Sequence, residues 1–263
     1  MDSEPQISTV KVSLGDLELT AQLYEVETAV SVKHAALILH GFPSRELEAE
    51  IVTSGLDALA LRIVTQMDCK AMVLGLRGCG GSDGNFSLQG WVEDATAAIQ
   101  YLADEHSISH VWVVGFGTGG AVGLVSATES AHVDGVATLG SPADFDDWYA
   151  NPKDLLEFAR QIGAISDTKF PSSVDEWQAE LAQVRAVVAA GEFSPKPLMI
   201  IHGSEDGVVP HFDARIIADE HGEADLRFID GGGHQLKQDP RAIAVLLGWL
   251  DREITLAGST RSD

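Results

Sequence analysis

The sequence predicts an α/β fold: a mostly parallel sheet with helices on both faces. Three observations carry that prediction. Short continuous apolar runs recur along the chain, among them AALILH at 35–40, AMVLGL at 71–76, VWVV at 111–114 and PLMIIHG at 197–203. Such runs mark strands buried on both faces. The segments between them carry apolar residues at helical spacing, and strands alternating with helices imply parallel pairing through crossovers. Glycine-rich turns end several of the runs, notably GFGTGG at 115–120 and GGGH at 231–234. In open α/β sheets, ligands bind beyond such strand ends.

The elements follow in order. ISTVKVSL at 7–14 and LELTAQLYEV at 17–26 alternate partially about Gly15-Asp16, which predicts an amino-terminal hairpin. The strand at 35–40 comes next, then a helix over 56–67 and the strand at 71–76. From Trp91 to His106, residues Ala95, Ala98, Ile99 and Leu102 recur at helical spacing. The strand at 111–114, the GFGTGG turn and a helix over 120–128 follow. VDGVATLG at 133–140, PLMIIHG at 197–203 and DLRFID at 225–230 complete the strands, with helices over 212–221 and 241–252. The polar tail AGSTRSD is expected to fray. Residues 142–195 break the alternation, with Pro142, Pro152, Pro171 and Pro195 around two helical segments at 153–163 and 174–190. So short a stretch hardly buries a core of its own. It reads as a helical cap insertion within one domain spanning 1–263.

Composition narrows the partners. The chain of 263 residues is 45% hydrophobic and holds 40 Asp+Glu against 17 Lys+Arg, a formal net charge of −23. Such a surface repels phosphate backbones and anionic lipid, so neither nucleic acid nor membrane is an expected partner. Two cysteines, Cys69 and Cys79, make no disulfide framework and fit a reducing compartment. MDSEPQISTVK lacks a basic segment followed by an apolar one, and AIAVLLGWL at 242–250 is too short to span a bilayer. These features point to a cytoplasmic protein with a small-molecule substrate or ligand; oligomeric state is not written in them. No dinucleotide or P-loop signature occurs, so no cofactor is expected. Asp144, Asp146 and Asp147 bring no His or Cys ligands with them, so they read as solvated surface rather than a metal site.

Four motifs stand in order: HGF at 40–42, RGCGGSDG at 77–84, GFGTGG at 115–120, and HGSEDGVVP at 202–210 followed by GGGH at 231–234. Together they resemble the α/β-hydrolase superfamily, in its esterase and serine-aminopeptidase-like branch, over roughly residues 7–252. The resemblance implies a catalytic order of nucleophile, acid, base. Asp206 fits the acid and His234 the base. A buried carboxylate fixes the imidazole tautomer and stabilises its protonated form, so the other ring nitrogen can accept a proton. The backbone N–H groups of Phe42 and Thr118 fit the oxyanion hole, while His40, Arg77 and His202 fit supporting roles. Phe116, Phe145 and Trp148 are candidates for the substrate pocket, with Phe158, Phe170 and Trp177 further along. For the aromatics of the insertion, packing it onto the sheet is the alternative.

One position departs from the family. Gly117 stands where the resemblance places a serine, and glycine has nothing to acylate. Thr118 sits one residue along the turn, where its side chain should point away from His234. Cys79 lies in a tight glycine loop, the ordinary setting of an inert thiol. Three readings stay open. The Asp206–His234 pair activates water against an ester or related acyl substrate; the same pair acts as general base for non-hydrolytic chemistry; or the chain is a pseudo-hydrolase that binds a small ligand or a protein partner. The glycine turn is also similar to the elbow of the N-myc downstream-regulated family, which keeps this fold without hydrolase chemistry. The presence of both Asp206 and His234 tips the reading toward hydrolase-type chemistry.

Overall fold

The computed structural model describes residues 4–27, 32–44, 48–106 and 108–259. Its strands are β1 (Pro5–Leu14), β2 (Leu17–Val26), β3 (His34–Leu39), β4 (Cys69–Leu74), β5 (His110–Phe116), β6 (Val133–Leu139), β7 (Leu198–Gly203) and β8 (Asp225–Ile229). They form one sheet in the order β1-β2-β4-β3-β5-β6-β7-β8. β1 and β2 pair antiparallel from Pro5↔Val26 to Leu14↔Leu17, and β2 runs antiparallel to β4. Every later pair is parallel. The predicted hairpin and parallel sheet are both present, and the strand predicted at 111–114 runs on to Phe116.

The helices are α1 (Asp57–Gln66), α2 (Leu88–Glu105), α3 (Thr118–Thr128), α4 (Asp146–Ala150), α5 (Pro152–Gln161), α6 (Val174–Leu181), α7 (Ala186–Phe193), α8 (His211–His221) and α9 (Pro240–Ser259). Two cores result from the alternation of side chains along each central strand. Leu37, Leu39, Val111 and Val113 point to one face, covered by α2, α3, α7 and α8. Ala36, Ile38, Trp112 and Val114 point to the other, covered by α1 and α9. This explains the unbroken apolar runs in the sequence. Helix α2 starts earlier than its apolar spacing predicts because the Ser87 side chain accepts a hydrogen bond from Gly90 N and caps the first turn.

Two expectations need correction. The run 174–190 is not one helix: the chain leaves helical geometry after α6 and resumes at α7. Between them Val184 is fully buried and Arg185 reaches Asp144 and Asp146, so tertiary contacts override a helical sequence. α7 then packs against α3 and α8, in the layer that covers the sheet. The tail is the second case. α9 continues to Ser259 instead of fraying from Ala257, while 260–263 lie outside the described residues.

The chain passes from β3 outward to β4, then crosses back over β3 to β5. The carboxyl ends of β3 and β5 therefore diverge at a topological switch point, where such sheets open a crevice. The HGF segment follows β3 and the glycine turn follows β5, so both motifs arrive at one place. Loop RGCGGSDG, after β4, is anchored behind it. Arg77 donates to Asp94 Oδ1 from Nε at 2.9 Å and from a terminal nitrogen at 2.7 Å, and its backbone N–H reaches Oδ2 at 2.7 Å. Asp94 is fully buried, so this pair fixes the loop from beneath.

Candidate active site

The turn from β5 into α3 is built by close approach of backbones. A Cβ on Gly115 would come within 2.4 Å of Gly119 O, and one on Gly119 within 2.2 Å of His40 O. Glycine is required there by space. At Gly117 it is favoured by conformation, with φ 52° and ψ −125°, a region that side chains enter only under strain. Space is not the constraint at this position. A Cβ on Gly117 would lie 3.6 Å from His234 Nε2 and 3.7 Å from Gly41 Cα, both ordinary contacts.

Asp206 follows β7 in a turn that holds its carboxylate from several sides. Oδ1 accepts from Val208 N at 2.8 Å and Val209 N at 2.9 Å, and Oδ2 accepts from His234 Nδ1 at 2.9 Å. The side chain has no solvent exposure, against 26% for His234. Burial alone would raise the Asp206 pKa, but the hydrogen bonds from His234, Val209 and Val208 outweigh it and hold the carboxyl below its ordinary range. The loop carrying His234 is tied to the same turn through Glu205 N to Gly232 O at 2.9 Å and Gly231 N to Ser204 Oγ at 2.8 Å. Because Nδ1 faces a carboxylate it carries the proton, and the Nε2 lone pair faces residue 117.

His40 supports the opposite wall. Its Nδ1–H donates to Gly41 O at 2.8 Å and its Nε2 accepts from Leu76 N at 3.1 Å. Burial pushes its pKa down to about 4, so the ring is neutral and structural. The backbone N–H groups of Phe42 and Thr118, on either side of Gly117, have no protein acceptor among the described residues. A pair of unpaired donors beside a cavity is the arrangement that an oxyanion uses.

A cavity of about 650 Å³ opens over these groups. Phe42, Phe116, Phe145 and Trp148 all line it, so the three sequence candidates for the pocket meet there. The Trp148 ring meets Phe42 edge-on at 5.1 Å and lies tilted against Phe145 at 4.9 Å. Phe158 lines it too, whereas Trp177 is buried and donates to Phe86 O at 3.2 Å, tying α6 to the segment just ahead of α2. Asp144, Asp146 and Asp147 line the cavity together with Asp213; Asp146 and Asp147 are exposed, as the sequence leads one to expect, while Asp144 is half-buried with Arg185 at 3.3 Å. Lys237 is the only Lys or Arg lining the cavity among the described residues. Cys79 is buried away from the cavity with its thiol pKa pushed well up by burial, which removes it as a nucleophile.

Sequence reasoning missed Val208, Val209, Asp213 and Lys237 in the walls, and Gly140 beside the acid–base pair. At φ 62°, a Cβ on Gly140 would sit 3.4 Å from Asp206 Oδ2 and 3.5 Å from His234 Nδ1. The glycine closing VDGVATLG was the one visible signal for it.

Comparison with known proteins agrees with this architecture. A family model described as Alpha/beta hydrolase family matches residues 36–245. The alpha/beta hydrolase domain-containing protein WAV2 of Arabidopsis thaliana is 27% identical over 157 residues, which are 59% of this chain and 49% of that protein. The chain thus spans about half the length of that relative. Among solved structures, the alpha/beta hydrolase GrgF from Penicillium sp. sh18 superposes with a TM-score of 0.71 at 17% identity, over 95% of this chain and 99% of that one. Est1E from Butyrivibrio proteoclasticus, also solved with ferulic acid bound, gives 0.68 at 16% identity, over 94% and 97%. At such identities the likeness is one of fold.

Proposed function

The chain belongs to the alpha/beta hydrolase family, and from that premise we propose that its cavity is an acyl-hydrolase site in which Asp206 and His234 activate water in place of a serine nucleophile. The observation that carries the reading is the 2.9 Å bond between His234 Nδ1 and Asp206 Oδ2, which leaves Nε2 aimed at Gly117. The space a serine side chain would fill there admits a water. Nε2 takes one of its protons as the oxygen bonds to the substrate carbonyl carbon. The carbonyl oxygen becomes an oxyanion, received by the N–H groups of Phe42 and Thr118. As the tetrahedral species collapses, the C–O bond to the leaving group breaks and Nε2–H protonates the departing alkoxide. Asp206 stabilises the imidazolium between the two transfers.

We read residues 142–195, chiefly α4 to α6, as the cap over this site, supplying Phe145, Trp148 and Phe158 to the acyl group. Asp144, Asp147 and Asp213 favour uncharged or cationic substrates over anionic ones. Free buried thiols at Cys69 and Cys79 fit a cytoplasmic protein. A second reading, a pseudo-hydrolase that binds a ligand without turnover, is favoured by Gly117 itself. Hydrolysis of 4-nitrophenyl acetate separates the two. Steady turnover with no initial burst, untouched by a fluorophosphonate, supports water activation. Stoichiometric inhibition by the fluorophosphonate would reveal a nucleophile elsewhere and overturn the mechanism. Ligand binding without turnover would establish the second reading.

A further inference from the structure

His202, the last residue but one of β7, has its side chain fully buried, and its two ring nitrogens meet different surroundings. Nε2 lies 3.0 Å from Val209 O and 3.4 Å from Asp206 Oδ2. Both neighbours are acceptors, so Nε2 carries the proton. Nδ1 has no hydrogen-bond partner among the described residues, and a proton placed there would be buried without an acceptor. The surroundings therefore fit the Nε2–H tautomer.

We propose that His202 is a positioning residue for the Asp206–His234 pair, acting through the turn that carries the acid. The bonds form a continuous chain. His202 Nε2–H holds the Val209 carbonyl, Val209 N–H holds Asp206 Oδ1, and Asp206 Oδ2 holds His234 Nδ1–H. Val209 is tied at both its polar groups, so the carboxylate turns only if one of these bonds breaks. The flank of the His202 N–H also borders Oδ2, the oxygen that His234 uses. Asp213 of α8 also lies near His202 and is itself occupied by Ala143 N at 3.1 Å. Without a donor at position 202, the Val209 carbonyl would be left buried and unpaired unless the turn moves. The first and eighth residues of HGSEDGVVP are thus one device, and its purpose is the orientation of the fifth.

The proposal concerns geometry and holds whether or not the site turns over, so its test reads the pair directly by NMR on the whole chain. In the unsubstituted protein, the nitrogen shifts of His202 place the proton on Nε2, and a low-field proton marks His234 Nδ1–H bonded to Asp206. In His202→Leu, that low-field resonance is lost or exchanges with solvent at least about tenfold faster. In His202→Gln, whose amide N–H can still reach Val209 O, it stays close to the original. A proton found on Nδ1 of His202 in the unsubstituted protein overturns the proposal without any variant. So does a folded His202→Leu that keeps the resonance and its exchange rate, or a folded His202→Gln that loses it.

Discussion

Nε2 of His234 lies 3.6 Å from where a Cβ would stand on Gly117. A serine hydroxyl, one bond further out, falls within hydrogen-bonding reach of that nitrogen. Gly117→Ser is therefore expected to complete a triad. Its backbone, at φ 52°, would cost roughly 1–3 kcal/mol of stability for a residue with a side chain. The check is a burst of product equal to the protein present, together with one fluorophosphonate label per chain. A folded variant that takes neither means that the two residues do not meet in solution as they do here.

His40 sets a pH limit on the fold. Burial holds its folded pKa at about 4, below the ordinary value near ~6.5 for an unfolded chain. As pH falls, the unfolded state takes the proton first. The stabilisation is full above about pH 6.5 and lost between there and about pH 4, up to roughly 3 kcal/mol. Urea titrations at several pH values should show this slope, and His40→Gln should flatten it. An unchanged slope in the variant would assign the acid sensitivity to other groups.

Arg77→Ala is expected to be among the more damaging substitutions outside the cavity. It leaves the Asp94 carboxylate fully buried without its cation, which typically costs about 3–5 kcal/mol. The double variant Arg77→Ala with Asp94→Leu should regain part of that loss, because the unpaired charge goes with it. Denaturant midpoints of the three proteins decide the matter; a double variant weaker than Arg77→Ala alone would contradict it.

Salt should stabilise the protein. At a net charge of −23, self-repulsion opposes the compact state, and raising salt from ~0.01 M to ~1 M shortens the screening length from about 30 Å to about 3 Å. Exposed ion pairs such as Arg241–Asp239 and Arg227–Asp225 weaken under the same change, but water already screens such pairs and leaves each a small contribution. Repulsion among the excess carboxylates dominates, so the melting temperature is expected to rise with sodium chloride. A fall would give the ion pairs the larger share.

Much of this was legible in the sequence because it is periodic or punctuated. AALILH, AMVLGL and VWVV read as buried strands since both faces of the sheet are covered, and GFGTGG read as a strand-to-helix turn since its glycines answer to close backbone contacts. Motif order points to Asp206 and His234 as an acid and a base, and the structure brings the two side chains within 2.9 Å of each other. What escaped depends on contacts between distant segments. The break between α6 and α7 follows from Arg185 meeting Asp144 and Asp146, about forty residues away, which no local pattern records. Asp146 and Asp147 read as surface and are exposed, but nothing in the sequence shows that they and the half-buried Asp144 border a cavity. Lys237 looks ordinary until folding sets it in the cavity wall, and Gly140 until it lies against Asp206 and His234.

The most direct test of water activation is hydrolysis of a short-chain ester by the unsubstituted protein and by Gly117→Ser, each with and without His234→Ala. The expected result is slow, burst-free turnover in the unsubstituted protein, faster turnover with a burst in the serine variant, and loss of both when His234 is removed. Turnover in the unsubstituted protein that survives His234→Ala, or folded proteins that hydrolyse nothing with or without the serine, would contradict it.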